Sequence, residues 1–489
     1  MTDLRPISFT SVTLDDLPAA EGHVAVCVTP DGKLSPGARR INRLTKGALD
    51  RAVQGAAWEK LGEGDGLSIG WPTGMAAEAV QVVKLSRRPA VEEARKAGAM
   101  LARRAGTSAL LVLAESTQRA EEMALGLALR GYRFTDHKTD KGDTPAAAVF
   151  HCAKPEEAEA AAQTSLALAE GIVMTRDLVN EPANVLSTTE FARRLEGLRD
   201  VGVEVEVIEE DRLEELGMRA FLAVGKGSVT PTKLVVMRWN GGDKDAAPLA
   251  LVGKGVVFDT GGISLKPSAG MESMTMDMGG AGVVAGTMHA LARRGAKANV
   301  VGLVGLVENM PDAAAMRPGD VLRSMKGDTI EIISTDAEGR LVLCDVLWYA
   351  QETYKPRAMI NLATLTGACI VALGHDKAAV FSNNDDFCAQ FLKAAEAEQE
   401  GAWRMPLAKP YADLIKSPIA DIKNSGGRPA SSITAAEFLH RFVKPEVPWI
   451  HLDIAGVAQV PRDLTLSPKG ASGWGVLSLN RLVAERFEG

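Results

Sequence analysis

Nowhere in the 489 residues do 18 uncharged, strongly apolar residues run together, so no membrane-spanning helix is expected. The opening Met1-Thr-Asp-Leu-Arg-Pro6 lacks a basic segment followed by an apolar run, so no secretory signal is expected either. Positive charge is not in excess. Lys and Arg number 55 against 62 Asp and Glu, a formal net charge of -7 that offers phosphate backbones no general attraction and argues against nucleic acid as a partner. The five cysteines, Cys27, Cys152, Cys344, Cys369 and Cys388, contain no CxxC pair and are odd in number. Such spacing suits reduced, buried thiols and a cytoplasmic location rather than a disulfide framework. Seven histidines include no HExxH spacing, no helix-turn-helix signal stands out, and no repeat recurs at a fixed period.

What is there is an ordinary globular composition, 46% apolar and 24% charged, in a chain long enough for two domains. Apolar strands such as His23-Val-Ala-Val-Cys-Val-Thr29 and Thr107-Ser-Ala-Leu-Leu-Val-Leu-Ala114 alternate with charged helical stretches, which predicts a smaller α/β domain over 1–152. An Ala- and Glu-rich stretch predicts a helical connector over 153–180. Beyond it, over 181–489, apolar runs at Pro248–Val252, Ala298–Val307, Thr329–Ser334, Ala358–Ala363 and Trp449–Ile454 read as central strands of a buried sheet with helices on both faces. Ligands of such sheets gather beyond the carboxyl ends of strands.

Charged residues collect at those ends. After Leu249-Ala-Leu-Val252 come Lys254, Asp259, Lys266 and Asp277, and after Thr329–Ser334 come Asp336, Glu338 and Arg340. Asp336 and Glu338 are two apart, so an extended segment would point both to one side, as a divalent cation requires. Four carboxylates in a partly dry cleft would repel one another and take up protons unless cations were present, and two divalent ions balance them. Lys254 joins as a ligand only as a neutral amine.

Taken singly, each of these residues is a solvated or ion-paired charge; their joint order is what is specific. The segments Val252-Gly-Lys-Gly255, Phe258-Asp-Thr-Gly-Gly-Ile-Ser-Leu-Lys-Pro267, Met276-Asp-Met-Gly-Gly280 and Thr335-Asp-Ala-Glu-Gly-Arg-Leu341 resemble those of the leucyl aminopeptidase (cytosol aminopeptidase) family. So do Arg176-Asp-Leu-Val-Asn180, Ala363-Thr-Leu-Thr-Gly-Ala368, Ile433-Thr-Ala-Ala-Glu-Phe-Leu439 and His451-Leu-Asp-Ile-Ala-Gly456. The resemblance covers roughly the second two thirds of the chain and is weak over its first 150 residues.

The resemblance implies a C-terminal α/β/α sandwich around a mixed, largely parallel sheet and a macro-like N-terminal domain. It implies two divalent metal ions per subunit, manganese or zinc, bridged by Asp259 and Glu338, with Lys254 and Asp277 completing one site and Asp336 the other. Lys266 and Arg340 become the catalytic cations, Arg340 holding a bicarbonate as general base. Met274, Thr364, Gly367 and Ala455 match positions lining the first side-chain pocket. The substrates implied are short peptides with a free N-terminus, leucine and other apolar residues being removed, and the assembly implied is a homohexamer.

Two rival readings compete. Some bacterial members of that family also bind DNA, which the acidic balance does not encourage. Gly280-x-Gly282-x-x-x-Gly286 resembles a dinucleotide loop and suggests an oxidoreductase, but its spacing departs from GxGxxG and it leaves Asp277 unexplained. His451 lies in an apolar run, where a core histidine is expected, and no histidine is assigned to metal.

Overall fold

The computed structural model describes residues 2–11 and 13–488. Two compact units emerge, Met1–Glu170 with Asp463–Pro468, and Gly171–Arg462 with Lys469–Gly489. The Ala- and Glu-rich stretch forms one continuous helix, Pro155–Asn180, and the division between units falls within it.

The first unit holds a six-stranded sheet in the order Ile7–Ser11, Ala148–Cys152, Leu110–Leu113, His23–Val28, Ala79–Lys84 and Gly66–Gly70. All neighbours are parallel except the last pair. The strands His23–Val28 and Ala79–Lys84 are almost wholly buried, as strands covered by helices on both faces must be.

The second unit holds an eight-stranded mixed sheet. Its four inner strands, Trp449–Asp453, Ala358–Ala363, Leu249–Asp259 and Asn299–Asn309, run parallel. Antiparallel partners flank them, Ala378–Ser382 on one side and Lys233–Asn240 followed by Glu204–Ile208 on the other. Helices cover both faces. Gly302 faces Val284 and Met288 of the helix Gly279–Arg293, whereas Gly305, on the opposite face, meets Val342 and Val346 of the helix Gly339–Tyr354. This is the expected α/β architecture.

Two details differ from expectation. The strand starting at Leu249 does not stop at Val252 but continues to Asp259, because Gly253 and Gly255 let the helix Gly279–Arg293 lie directly on it. A Cβ on Gly253 would stand 2.7 Å from the Ala281 Cα. The run Thr329–Ser334 is not a central strand. Only Thr329–Glu331 is extended, between Val321–Arg323 and Ile422–Lys423 in a separate three-stranded sheet, since its side chains alternate between buried and half-buried rather than facing helices on both sides.

Candidate metal centre

The parallel strands bring their carboxyl ends together, and Asp259 lies opposite Asn309 in register. Lys254, inside the strand, is fully buried. Its Nζ stands 2.7 Å from Asp277 Oδ1, 2.7 Å from Glu338 Oε1 and 3.0 Å from the Thr364 carbonyl. Gly261 and Gly262, both at positive φ, turn the chain after Asp259 so that Lys266 returns, its backbone N–H donating to the Thr260 carbonyl. Lys266 Nζ then lies 2.8 Å from Asp259 Oδ2 and bonds Asp336 as well.

Asp336 and Glu338 do not lie on an extended segment. Asp336 sits in a turn and Glu338 directly precedes the helix Gly339–Tyr354 in a helical backbone conformation, so the turn, not strand alternation, aims them together. The result is nonetheless convergent. Asp259, Asp336 and Glu338 each offer an oxygen, all within 4.8 Å of one another.

The electrostatics of this cluster are those of a cation site. Burial raises the carboxyl of Asp277 well above its ordinary range, and burial together with the Glu338 charge raises that of Asp259. Asp336 is raised by burial against the opposing pull of Lys266. Burial opposes charge on Lys254 and Lys266, but the surrounding carboxylates outweigh it and raise both. The ammonium groups thus stand in two places where the acids call for positive charge, one among Asp277 and Glu338, the other between Asp259 and Asp336. Three further observations fit divalent ions: the donors are hard oxygens plus one amine, four carboxylates outnumber two ammonium groups, and Asp277 Oδ2 is buried without a hydrogen-bond partner.

A frame of uncharged residues that sequence reasoning missed holds these groups. Asn309 Nδ2 donates to Asp259 Oδ1 at 2.7 Å and to the Thr335 carbonyl at 3.1 Å, fixing one oxygen of Asp259 and leaving the other toward Lys266. Thr335 Oγ1 donates to the Gly261 carbonyl and accepts from the Ser264 N–H. Asn424 is fully buried and clasps the turn at both ends. Its Oδ1 accepts from Ile333 and Ser334, its Nδ2 donates to the Ser334 and Ala337 carbonyls, and its own carbonyl accepts from Arg340 Nη1 at 2.6 Å. Arg340 is itself buried, with Nε unpartnered, and burial lowers its pKa to about 10. Nothing in the local sequence of Asn424 marks it, because its partners lie some 90 positions away.

Of the pocket candidates, Thr364 joins the cluster directly, its Oγ1 donating to Asp277 Oδ1 at 2.7 Å. Met274 lies on the same short 3-10 stretch as Asp277, Met271–Met278, while Gly367 opens the helix Gly367–Leu373 with free space where a Cβ would be. Ala455 is buried, its N–H directed at Asp453 Oδ1. None of these three is hydrogen-bonded to Asp259, Asp277, Asp336 or Glu338 among the described residues.

His451 is a core residue. Its Nδ1 lies 2.9 Å from Asn361 Nδ2 and its ring stacks on Phe381 and Trp449. The glycines of Gly280-x-Gly282-x-x-x-Gly286 form no phosphate loop but lie within a helix, where a Cβ on Gly280 would collide with the Leu362 carbonyl at 2.1 Å. They permit close packing of helix on sheet. No helix among the described residues is long and apolar enough to cross a membrane.

Residues 173–480 match the model of the cytosol aminopeptidase family catalytic domain. A probable cytosol aminopeptidase of Cereibacter sphaeroides is 60% identical over 488 residues, covering 100% of both chains. Among solved structures, a tomato leucine aminopeptidase mutant superposes with a TM-score of 0.86 at 28% identity, covering 99% of this chain and 97% of that one. The bottromycin maturation enzyme BotP in complex with Mn gives 0.82 at 34% identity, covering 95% and 99%.

Proposed function

This chain belongs to the cytosol aminopeptidase family and is an aminopeptidase of the leucyl type, a hydrolase acting on peptides; from that premise we propose that it removes N-terminal leucine and other apolar residues from short peptides using two divalent ions. Lys254, Asp259, Asp277, Asp336 and Glu338 would hold the ions, with Asp259 and Glu338 shared. The observation that carries the reading is the convergence of four carboxylates on two cation positions. When bound, such ions supply a nucleophilic hydroxide near neutral pH and polarise the scissile carbonyl. Manganese and zinc both suit this donor set, and the manganese complex of BotP favours trying manganese first.

The chain's own residues divide the remaining work. Lys266, whose half-buried side chain reaches Asp259 and Asp336, would place positive charge where an oxyanion develops. Arg340 is fixed through Nη1 on the Asn424 carbonyl, and its guanidinium would hold a bicarbonate, which would supply the base. Thr364 orients Asp277 through its hydroxyl, and with Met274, Gly367 and Ala455 it would border the first side chain of the substrate. A cytoplasmic location and a homohexamer are part of the same proposal.

The test is hydrolysis of aminoacyl-amides and dipeptides by metal-stripped protein with manganese or zinc restored singly. Cleavage of leucinamide only after metal return, with N-acetylated peptides left intact, is expected. Folded protein that cleaves nothing with any metal, or cleaves acetylated peptides equally well, contradicts the proposal.

A further inference from the structure

One buried acid stands beside the metal cluster without belonging to it. Asp453 ends the inner strand Trp449–Asp453, opposite Ala363 of the neighbouring strand, and is fully buried. Among the described residues no lysine or arginine pairs with it. It is held instead by the segments that leave the two strands. Oδ1 faces the N–H groups of Leu365 at 3.1 Å, Thr366 at 3.4 Å and Ala455 at 3.3 Å, and Oδ2 accepts from the Thr366 hydroxyl at 2.5 Å. A carboxylate offers about four acceptor positions, so this one is committed wholly to the two strand exits.

The segment it clasps faces two ways. On one side Thr364 reaches the metal centre, its carbonyl accepting from Lys254 Nζ and its hydroxyl donating to Asp277. On the other, Thr366 reaches Asp453, and its Oγ1 accepts from the Cys369 N–H at 3.2 Å, capping the helix Gly367–Leu373. The Ile454 N–H donates to the Ala363 carbonyl at 2.8 Å and keeps the exits together. Three of the residues assigned to the first side-chain pocket therefore depend on this acid. Ala455 bonds it directly, while Thr364 and Gly367 are the chain neighbours of Leu365 and Thr366, which do. Gly367 has no side chain to wedge it in place and open space around it, so its position follows from Thr366.

We propose that Asp453 is a positioning residue for substrate selection, setting Thr364 and Gly367 on one exit against Ala455 on the other. The proposal rests on the aminopeptidase reading and its pocket. Asp453 acts through the loop, not by contact with the reacting atoms. A group that shapes the pocket wall changes discrimination between substrates differing only in that side chain, whereas one that acts on the metal centre or on stability changes all substrates alike. The distinction matters because the charge of Asp453 also acts on Arg340.

The test compares kcat/KM for leucinamide and glycinamide in the manganese-loaded native protein and in Asp453→Asn, Thr366→Val and Thr366→Ser. The leucine-to-glycine ratio is expected to fall at least about tenfold in Asp453→Asn and Thr366→Val, with native manganese content, and to stay native in Thr366→Ser, which keeps the hydroxyl. Thr366→Val leaves the charge beside Arg340 intact, and it gives the same comparison with Thr366→Ser if Asp453→Asn does not fold. A native ratio in Thr366→Val, whatever its turnover, would overturn the proposal: the brace would then be structural, or the effect of Asp453 would run through Arg340. Native protein that hydrolyses neither amide would sink the aminopeptidase reading itself, and this proposal with it.

Discussion

At the scale of the residue, Lys254 is the strictest requirement of the account. In the structure it is an ammonium clasped by Asp277 and Glu338; as a metal ligand it must be neutral. Lys254→Arg keeps the charge but cannot lose its proton, so it is expected to bind metal poorly, as read by metal content after dialysis. Lys266→Ala and Arg340→Ala are expected to retain metal and lose turnover by roughly 10²–10³, the usual cost of removing a preorganised charge from the transition state. These charged residues are legible in the sequence because only a cation explains so many acids together. Asn309, Thr335 and Asn424 are not legible, because amides and hydroxyls that bind backbone groups look alike in any loop. Asn424→Ala strips acceptors from the Ile333 and Ser334 N–H groups and donors from two carbonyls. It is expected to lower stability by about 2 kcal/mol and to weaken metal affinity as well. A lower melting point with native metal affinity would show that Asn424 does not position Asp336 and Glu338.

At the scale of the element, the start of the helix Gly339–Tyr354 couples local backbone to chemistry. A Cβ on Gly339 would stand 2.6 Å from Lys254 Cε and 2.8 Å from its Nζ. Gly339→Ala should therefore push Lys254 away from Asp277 and Glu338, lowering the melting point and weakening metal binding. Thermal melts beside a manganese titration check this, and unimpaired binding would contradict it. The inner strands were legible because strands covered on both faces read as unbroken apolar runs. The extension of the first strand through Gly253-Lys-Gly255 was not, since glycine suggests a turn until the packing helix is seen. Nor was the fate of Thr329–Ser334, whose apolar residues serve a small side sheet.

At the scale of the whole molecule, the alternation of strands and helices was enough to predict two α/β units. The flanking antiparallel strands were missed because edges of a mixed sheet carry weaker patterns than its centre. Stability as a function of pH is also a whole-molecule property, and His451 gives it a definite sign. Burial, with Arg340 nearby, lowers the His451 pKa from 6.5 to about 3, so the ring stays neutral in the folded state while the unfolded chain takes up a proton. Its contribution is complete above the unfolded value and is lost as pH falls toward the folded one, by at most about 1.4 kcal/mol per pH unit. Between pH 7 and pH 5 the native melting point should therefore fall further than that of His451→Gln; parallel curves would contradict the buried neutral ring.

The central claim is that Lys254, Asp259, Asp277, Asp336 and Glu338 together hold two catalytic divalent ions. Titration of manganese into metal-stripped protein, with leucinamide hydrolysis followed at each addition, tests it most directly. The account predicts two ions bound per chain, one fewer in Asp277→Asn, and activity that rises with occupancy. Full hydrolysis by a chain that binds one ion or none would contradict it.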